Sequence, residues 1–205
     1  MKPLFITAIG TDIGKTIISA ITIESLKADY WKPVQCGDLQ YSDTEKVKNL
    51  ISNTESVFHP EAYRLTQPFS PHKAADLDHT CVELEKIIIP KSSNRLIIEG
   101  AGGLMVPLNE STMVIDLIKK LDAEVILVSK NYLGSINHTL LSLLALQANN
   151  IPIRAIIFNG YRDDYTENVI LKYSGISSVA RIPFIEVLNK ESIKRAGASI
   201  DALNL

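Results

Sequence analysis

Five short runs of apolar, largely β-branched residues recur along this 205-residue sequence, with helical patterns between them. The runs are LFITAI at 4–9, RLIIEG at 95–100, EVILVS at 124–129, RAIIFN at 154–159 and SVARI at 178–182. Because they are nearly continuous rather than alternating, they are typical of strands buried on both faces. Strands that alternate with helices form right-handed βαβ units and parallel sheets. The pattern therefore predicts an α/β fold of three layers, with a mainly parallel central sheet between helices.

Segments of helical length and spacing are found at 15–27, 42–51, 81–89, 113–121, 135–149 and 163–173. The stretch YWKPV at 30–34 is predicted to be a short strand that ends at its proline. Residues 53–79 are irregular, and we predict a loop region there with room for one short helix. No repeat or linker divides the sequence, so we expect one domain across residues 1–205.

The charge balance narrows the choice of partners. The 21 basic and 23 acidic side chains give a net charge of −2 without long runs of either sign, which speaks against nucleic acid and membrane surfaces. Cys36 and Cys81 form neither a metal-type pair nor a disulfide framework, as in proteins of a reducing cytosol. We find no signal-peptide pattern and no apolar run of about 18 residues. We therefore expect a cytoplasmic protein with small-molecule partners.

The first predicted strand runs directly into GTDIGKT at 10–16 and then into a helix. In such a loop Gly14 lets the backbone approach an anion, Lys15 and successive amides bind phosphates, and the Thr16 hydroxyl holds Mg²⁺. The common phosphate loop has glycine at position 9, where this sequence has Ile9. A Gly-Lys-Thr tripeptide can also simply cap a helix, but the strand before it and the helix after it favour a nucleotide site.

Charged side chains follow other predicted strands, and ligands of open α/β sheets bind beyond these strand ends. Glu99 ends an apolar strand, where an ionised group is costly unless it is paired or bound to metal. Together with Thr16 and Asp43 it would give Mg²⁺ the oxygen ligands it prefers. Lys32 can neutralise a transferring phosphoryl group. Taken singly, Lys32 is typical of a solvated charge and Asp43 of a helix cap, so only their combination favours these roles.

Two more strand ends carry candidate ligand groups. The sequence Gly-Ser-Ile-Asn-His at 134–138 opens a long apolar helix, which makes an anion-accepting N-terminus suited to a carboxylate; plain helix capping is the alternative. Asn159 can offer its amide to a base edge, although Asn-Gly also forms ordinary turns. The Asn-Lys-x-Asp pattern of guanine-binding proteins is absent at this point, so adenine is favoured.

Taken together, these residues resemble the dethiobiotin synthetase family, whose phosphate loop has the form G-T-x-T-x-x-G-K-T. Thr11 falls on the inner threonine, Gly14-Lys15-Thr16 match, and Ile9 is no objection because this loop is one residue longer than the common one. The resemblance also covers KPV at 32–34, SD at 42–43, SPH at 70–72, EGAGG at 99–103, GSINH at 134–138, Asn159 and IP at 182–183. Departures are Ala8 for glycine, Ile9 for threonine, and Cys36 where threonine or serine is common.

The resemblance implies a P-loop NTPase-like fold and a Mg²⁺- and ATP-dependent carboxylation and ring closure of diaminopelargonic acid with CO₂. It assigns catalysis to Thr11, Lys15 and Lys32, and the metal to Thr16, Asp43 and Glu99. It assigns the nucleotide to Asp12, Ile13, Gly14, Lys15, Thr16, Asn159 and Pro183. It assigns the diamine to Lys32, Cys36, Gly102, Ser135, Ile136 and Asn137. In the family the substrate carboxylate is held at the last three positions by a second subunit, which implies a homodimer.

Two other classes share related loops. Partition and septum-site ATPases usually carry an additional lysine early in the loop, and Ala8-Ile9-Gly10-Thr11 contains none. The synthetase half of a cobyrinate-type amidotransferase would require a glutaminase domain with its nucleophilic cysteine, which we do not expect in a sequence of this length. The synthetase therefore remains the favoured interpretation.

Overall fold

A computed structural model describes residues 1–203 and 205 of the chain. Its strands are β1 (Leu4–Ala8), β2 (Asp29–Trp31), β3 (Val34–Cys36), β4 (Phe58–His59), β5 (Tyr63–Leu65), β6 (Leu96–Glu99), β7 (Glu124–Ser129), β8 (Ile153–Asn159) and β9 (Val179–Ile182). Its helices are α1 (Lys15–Leu26), α2 (Asp43–Leu50), α3 (Pro71–Leu77), α4 (Val114–Lys120), α5 (Ser135–Ala148), α6 (Asp164–Ser174), α7 (Lys190–Ala196) and α8 (Ala198–Asp201). The five predicted apolar strands and five of the six predicted helices are confirmed, each within one residue at either end.

The central sheet has the strand order β4-β2-β6-β1-β7-β8-β9, and every neighbouring pair is parallel. β1 lies in the middle, so the loop that follows it emerges between the carboxyl ends of β6 and β7. β3 and β5 pair in parallel as a separate small sheet. Among the described residues no helix is both long and apolar enough to cross a lipid bilayer.

Side chains on the two faces of β1 enter two different cores. Leu4 and Ile6 belong to a core with Ile21 of α1, and α7 and α8 close the same side. Phe5, between them in sequence, belongs to the opposite core with Leu143 of α5. Each fully buried side chain of this size contributes about 1.5–3 kcal/mol. Burial on both faces explains why the strand sequence is continuously apolar and confirms the three layers.

The helix predicted at 81–89 is wrong. Within this segment the chain forms one 3₁₀ turn, Leu84–Lys86, with extended backbone on either side. Ile87 is fully buried whereas Ile88 is 76% exposed, which is the alternation of an extended chain. Consecutive β-branched isoleucines lose rotamer freedom in a helix, and the residue before Pro90 is disfavoured in the helical region.

The single strand predicted at 30–34 is also wrong, because the chain forms two strands that belong to two sheets. Lys32 and Pro33 form the joint between β2 and β3. Pro33 has no N–H to give to a sheet, and its carbonyl accepts hydrogen bonds from the backbone N–H groups of Ala62 (2.9 Å) and Tyr63 (3.0 Å). The main sheet therefore ends at this joint, and the small sheet starts directly after it.

The region 53–79 contains more structure than predicted. The one short helix is confirmed as α3, but β4 and β5 were not expected, and neither were α7 and α8 near the carboxyl end. β4 has only two residues, and each pairs with β2. Strands this short are stabilised by their neighbours rather than by their own sequence, which is why local pattern did not predict them.

Candidate active site

The loop between β1 and α1 is shaped for close approach to the helix N-terminus. Gly14 precedes the helix with φ of +104°, and no side chain of the described residues caps it. A Cβ at this position would lie 2.1 Å from Nδ2 of Asn159, so a larger residue has no room. Asp12 also has a positive φ, +58°. The first-turn amides and the helix dipole therefore face the cleft and favour an anion.

The loop side chains divide between the core and the cleft. Ile13 is only 6% exposed and belongs to the core beneath α1, while Thr11 and Asp12 are exposed at the rim. Nζ of Lys15 donates to the carbonyl oxygen of Gly10 at 3.3 Å. Burial lowers the pKa of Lys15, and the charge of Glu99 partly opposes this shift. Lys15 thus lies across the loop, where a phosphate would be held.

Four predicted site residues meet at the carboxyl ends of β2 and β6. Oε1 of Glu99 accepts hydrogen bonds from Oγ1 of Thr16 (2.9 Å) and from Nζ of Lys32 (3.0 Å). The same ammonium donates to Oδ2 of Asp43 at 2.5 Å. The hydroxyl of Tyr30 donates to Oε2 of Glu99 at 3.0 Å. Glu99 is 1% exposed, and these partners compensate its burial.

The charges of this cluster fix its protonation. Burial alone would lower the pKa of Lys32, but the carboxylates of Glu99 and Asp43 outweigh it and raise that pKa. Burial alone would raise the pKa of Asp43, and the Lys32 ammonium reverses the shift, so that pKa is lowered. Burial, followed by the charge of Glu99, raises the pKa of Tyr30 well above its usual value. At neutral pH the cluster therefore holds a lysine cation and a phenol that donates.

The donor set fits Mg²⁺. One hydroxyl and two carboxylates, from Thr16, Asp43 and Glu99, lie around the buried ammonium of Lys32. Among the described residues no three His, Cys, Asp or Glu side chains form a metal cluster. Mg²⁺ is usually bound by one or two protein carboxylates, with waters and phosphate oxygens completing its shell. These residues can therefore hold the ion in that manner.

A cleft of about 1120 Å³ opens from the phosphate loop towards the small sheet. Cys36 of β3 and Gly102 line it, together with Phe69 and Val106. Burial raises the pKa of the Cys36 thiol to about 11, so the group is a neutral thiol at pH 7. Gly102 has φ of +72°, and a Cβ there would lie 2.7 Å from Cγ2 of Val106. The cleft wall therefore needs glycine at this position.

Asn159 lies over the phosphate loop. Its Nδ2 donates to the carbonyl oxygen of Ile13 at 2.7 Å, so part of its amide is engaged by the loop backbone. The register of β8 and β9 pairs Asn159 with Ile182, which brings Pro183 to the same edge of the sheet. Pro183 lines a hollow of about 450 Å³ beside Tyr161. The two predicted base-side residues are thus neighbours at this edge of the sheet, and Asn159 contacts the phosphate loop.

The three residues at the start of α5 lie apart from the large cleft of the same chain. Ser135 is fully buried, Ile136 is half-buried and Asn137 is exposed. The Ser135 hydroxyl accepts from the backbone N–H of Tyr132 at 3.4 Å, and its carbonyl accepts from the Thr139 hydroxyl at 2.7 Å. Within one chain, therefore, this turn does not join the other predicted substrate residues.

Two residues of the site were not predicted, Tyr30 and Lys46. Tyr30 lies two residues before Lys32, a spacing that puts both side chains on one side of an extended chain. Lys46 lies one helical turn after Asp43, and its Nζ donates to Oδ1 of that carboxylate at 3.1 Å. An i,i+3 spacing on a helix is a usable signal for such a contact.

The sequence profile of a family described as an AAA domain matches residues 2–192. A protein of Christiangramia forsetii named "ATP-dependent dethiobiotin synthetase BioD" is 52% identical over 194 residues, which cover 93% of each chain. A protein of Cytophaga hutchinsonii with the same name is 49% identical, and the match covers 94% of each chain.

Solved structures with this fold include the cell division ATPase MinD of Pyrococcus furiosus, with a TM-score of 0.62 and 13% identity over 99% of this chain and 100% of that one. A putative plasmid partition protein of Borrelia burgdorferi bound to AMPPNP has a TM-score of 0.60 at 16% identity, over 100% of this chain and 98% of that one. At this identity the likeness shows the P-loop ATPase fold alone. The close sequence relatives decide the family: the chain belongs to the ATP-dependent dethiobiotin synthetases.

Proposed function

We propose that this chain converts diaminopelargonic acid, CO₂ and ATP into dethiobiotin, ADP and phosphate with Mg²⁺, as a step of biotin biosynthesis. One observation carries the proposal: the buried ammonium of Lys32 is held between Asp43 and Glu99, directly beside the phosphate loop. Phosphoryl transfer depends on positioned positive charge at such a point. Family membership supplies the substrate.

The reaction needs three steps. One amine of the substrate adds to CO₂ and loses a proton, which gives a carbamate. A carbamate oxygen then attacks the γ-phosphorus, and ADP leaves. The second amine attacks the carbamate carbon and loses a proton, and phosphate leaves as the ureido ring closes. The protein must hold these groups in line, because alignment removes much of the entropic barrier.

The residues around the loop divide this work. We assign phosphate binding to the amides of Asp12, Ile13 and Gly14 and to the Lys15 side chain. Lys15 and Lys32 neutralise the negative charge of the transferring phosphoryl group. Thr11, at the exposed rim of the loop, faces the reacting end of the cleft in this proposal. Metal binding is assigned to Thr16, Asp43 and Glu99. Mg²⁺ held by these three residues would supply positive charge to the phosphate groups. Adenine binding is assigned to Asn159 and Pro183.

The substrate side of the proposal requires a second copy of the chain. Cys36 and Gly102 line the cleft, and the turn at Ser135, Ile136 and Asn137 would hold the substrate carboxylate in the partner's cleft. α5 supports such a homodimer, because next to this turn Leu141 and Leu144 are 56% and 59% exposed, and Leu133 before it is fully exposed. Exposed apolar side chains on one helix fit a surface that a second subunit covers. We also propose a cytoplasmic location, because both cysteines are free thiols and free thiols persist in reducing compartments.

Incubation with Mg-ATP, bicarbonate and the diamine tests the proposal, with mass spectrometry of the product and parallel samples containing GTP or CTP. We expect dethiobiotin and one phosphate per product. Lys15→Ala should abolish turnover, whereas Lys48→Ala should not, because Lys48 is an exposed residue of α2 paired with Glu45. Absence of dethiobiotin with every triphosphate would contradict the proposed function.

A further inference from the structure

Lys46 is a third lysine of the cleft, and neither the phosphate loop nor the joint at Lys32 accounts for it. It lies on α2 and lines the cleft. Its Nζ is 3.1 Å from Oδ1 of Asp43 and 3.3 Å from Oδ2 of Asp38. The Lys46 side chain is 32% exposed, against 6% for Lys32. Lys46 therefore contacts the site from its solvent side.

The two oxygens of Asp43 have different partners. Oδ2 accepts a hydrogen bond from the Lys32 ammonium, which also donates to Glu99, so this oxygen faces the centre of the cluster. Oδ1 accepts a hydrogen bond from the Lys46 ammonium, on the solvent side of the cluster. The backbone N–H of Asp43 donates to Oε1 of Gln35 at 3.3 Å, which fixes the start of α2 against the small sheet. The carboxylate is thus held at both oxygens and at its backbone.

We infer that Lys46 is a positioning residue for the divalent metal: it holds Asp43 so that Oδ2 stays on the side of the cluster that contains Lys32 and Glu99. This inference rests on the proposed function, because it assumes that these three residues bind Mg²⁺. A carboxylate that binds a metal with one oxygen is oriented by hydrogen bonds to the other, and loss of such a partner typically weakens metal binding 10–100-fold.

Charge alone would have the opposite effect. A lysine near a metal ligand repels the incoming cation, so its removal would tighten metal binding. Two features reduce this repulsion at Lys46. The Lys46 ammonium also donates to the carboxylate of Asp38, and solvent screens a side chain that is one-third exposed. Orientation is therefore expected to outweigh repulsion, and the direction of the change distinguishes the two effects.

The effect of Lys46 on metal binding can be measured as the affinity of the protein–ADP complex for a divalent metal. Mn²⁺ is titrated into wild-type protein with ADP and followed by electron paramagnetic resonance, and Mg²⁺ is titrated by calorimetry. We expect Lys46→Met to weaken metal binding about 10-fold. Lys46→Arg retains a donor and should stay within about threefold of wild type. Lys48→Met is the matched control on the same helix, since its partner Glu45 lies outside the cleft, and it should leave the affinity unchanged. ADP affinity in EDTA should be equal in all four proteins.

Several results would overturn the inference. Equal or tighter metal binding in Lys46→Met would show that Lys46 does not orient the ligand, and equal weakening in Lys48→Met would show a general effect on α2. An increased KM for the diamine with unchanged metal affinity would assign Lys46 to the substrate instead. If wild-type protein bound no Mn²⁺ with ADP and formed no dethiobiotin, both the inference and the proposed function would be contradicted; normal wild-type activity with an unaffected Lys46→Met variant contradicts the inference alone.

Discussion

Replacement of Lys32 by methionine removes the cation between two carboxylates and keeps the length of the side chain. Lys32 is 5% exposed and Glu99 is 1% exposed. Loss of one partner of a buried ion pair costs about 3–5 kcal/mol. Thr16 and Tyr30 continue to donate to Glu99, so we expect the lower end, about 3 kcal/mol. For a chain of this size that corresponds to a fall in Tm of about 6–12 °C.

Thermal melts followed by circular dichroism in EDTA measure this change. The control is Lys2→Met, since the pair of Lys2 with Asp122 is largely exposed and its loss should shift Tm by less than about 3 °C. In the proposed site a divalent cation bound by Asp43 and Glu99 would supply the charge that the variant lacks, so Mg²⁺ with ADP should narrow the difference in Tm from wild type. Activity should be lost even where the fold is restored.

The reasoning would be refuted if Lys32→Met melted within about 2 °C of wild type in EDTA, because the buried pair would then contribute little. A gap in Tm that Mg²⁺ and ADP leave unchanged would contradict the placement of the metal between the two carboxylates.

Three further changes test separate parts of the structure. Gly14→Ala should abolish ADP binding in calorimetry, because its Cβ would lie 2.1 Å from Nδ2 of Asn159 at a φ of +104°; wild-type affinity would contradict the loop geometry. Arg181→Met leaves Glu167, 1% exposed, without the guanidinium that donates to it. Because the arginine is partly exposed, the free energy of unfolding in urea should fall by about 2–3 kcal/mol, and an unchanged urea midpoint would count against this pair. Burial raises the pKa of Cys36 to about 11, so at pH 8 only about 0.1% of this thiol is thiolate, against about 25% for an ordinary thiol. Alkylation of Cys36 by iodoacetamide, mapped by mass spectrometry, should therefore be slow at pH 8 and accelerate towards pH 11. Rapid labelling at pH 8 would show that burial does not suppress the thiolate.

The sequence predicted the sheet, and it predicted that the proposed metal ligands meet at one edge of it, for one physical reason. Strands buried on both faces have continuous apolar sequences, and the carboxyl ends of parallel strands meet at one edge. Glu99 follows from these two rules, since it ends β6, and Thr16 was predicted from the phosphate-loop sequence that connects β1 to α1. Asp43 was predicted only by combination with them, because a helix start with this sequence is otherwise an ordinary cap.

The sequence did not predict features that depend on distant neighbours. Ile87 and Ile88 have the same side chain, and only the packing of the 81–89 segment makes one buried and the other exposed. The small sheet forms because β5 pairs with β3, from which it is separated by 27 or more positions in the sequence. No local sequence pattern predicts that pairing. Lys46 is one of two lysines on α2, and its proposed role depends on the orientation of the Asp43 carboxylate.

Lys32 and Pro33 join the two sheets, and this joint also carries the ammonium of the phosphate site. The wall that includes Cys36 begins one residue after the proline, whose ring leaves the connection little slack. A molecule that fills the cleft and displaces this wall would therefore pull on the cation through two peptide units. Under the proposed function, filling of the substrate space would therefore also shift the charge that faces the nucleotide, because Pro33 connects the two.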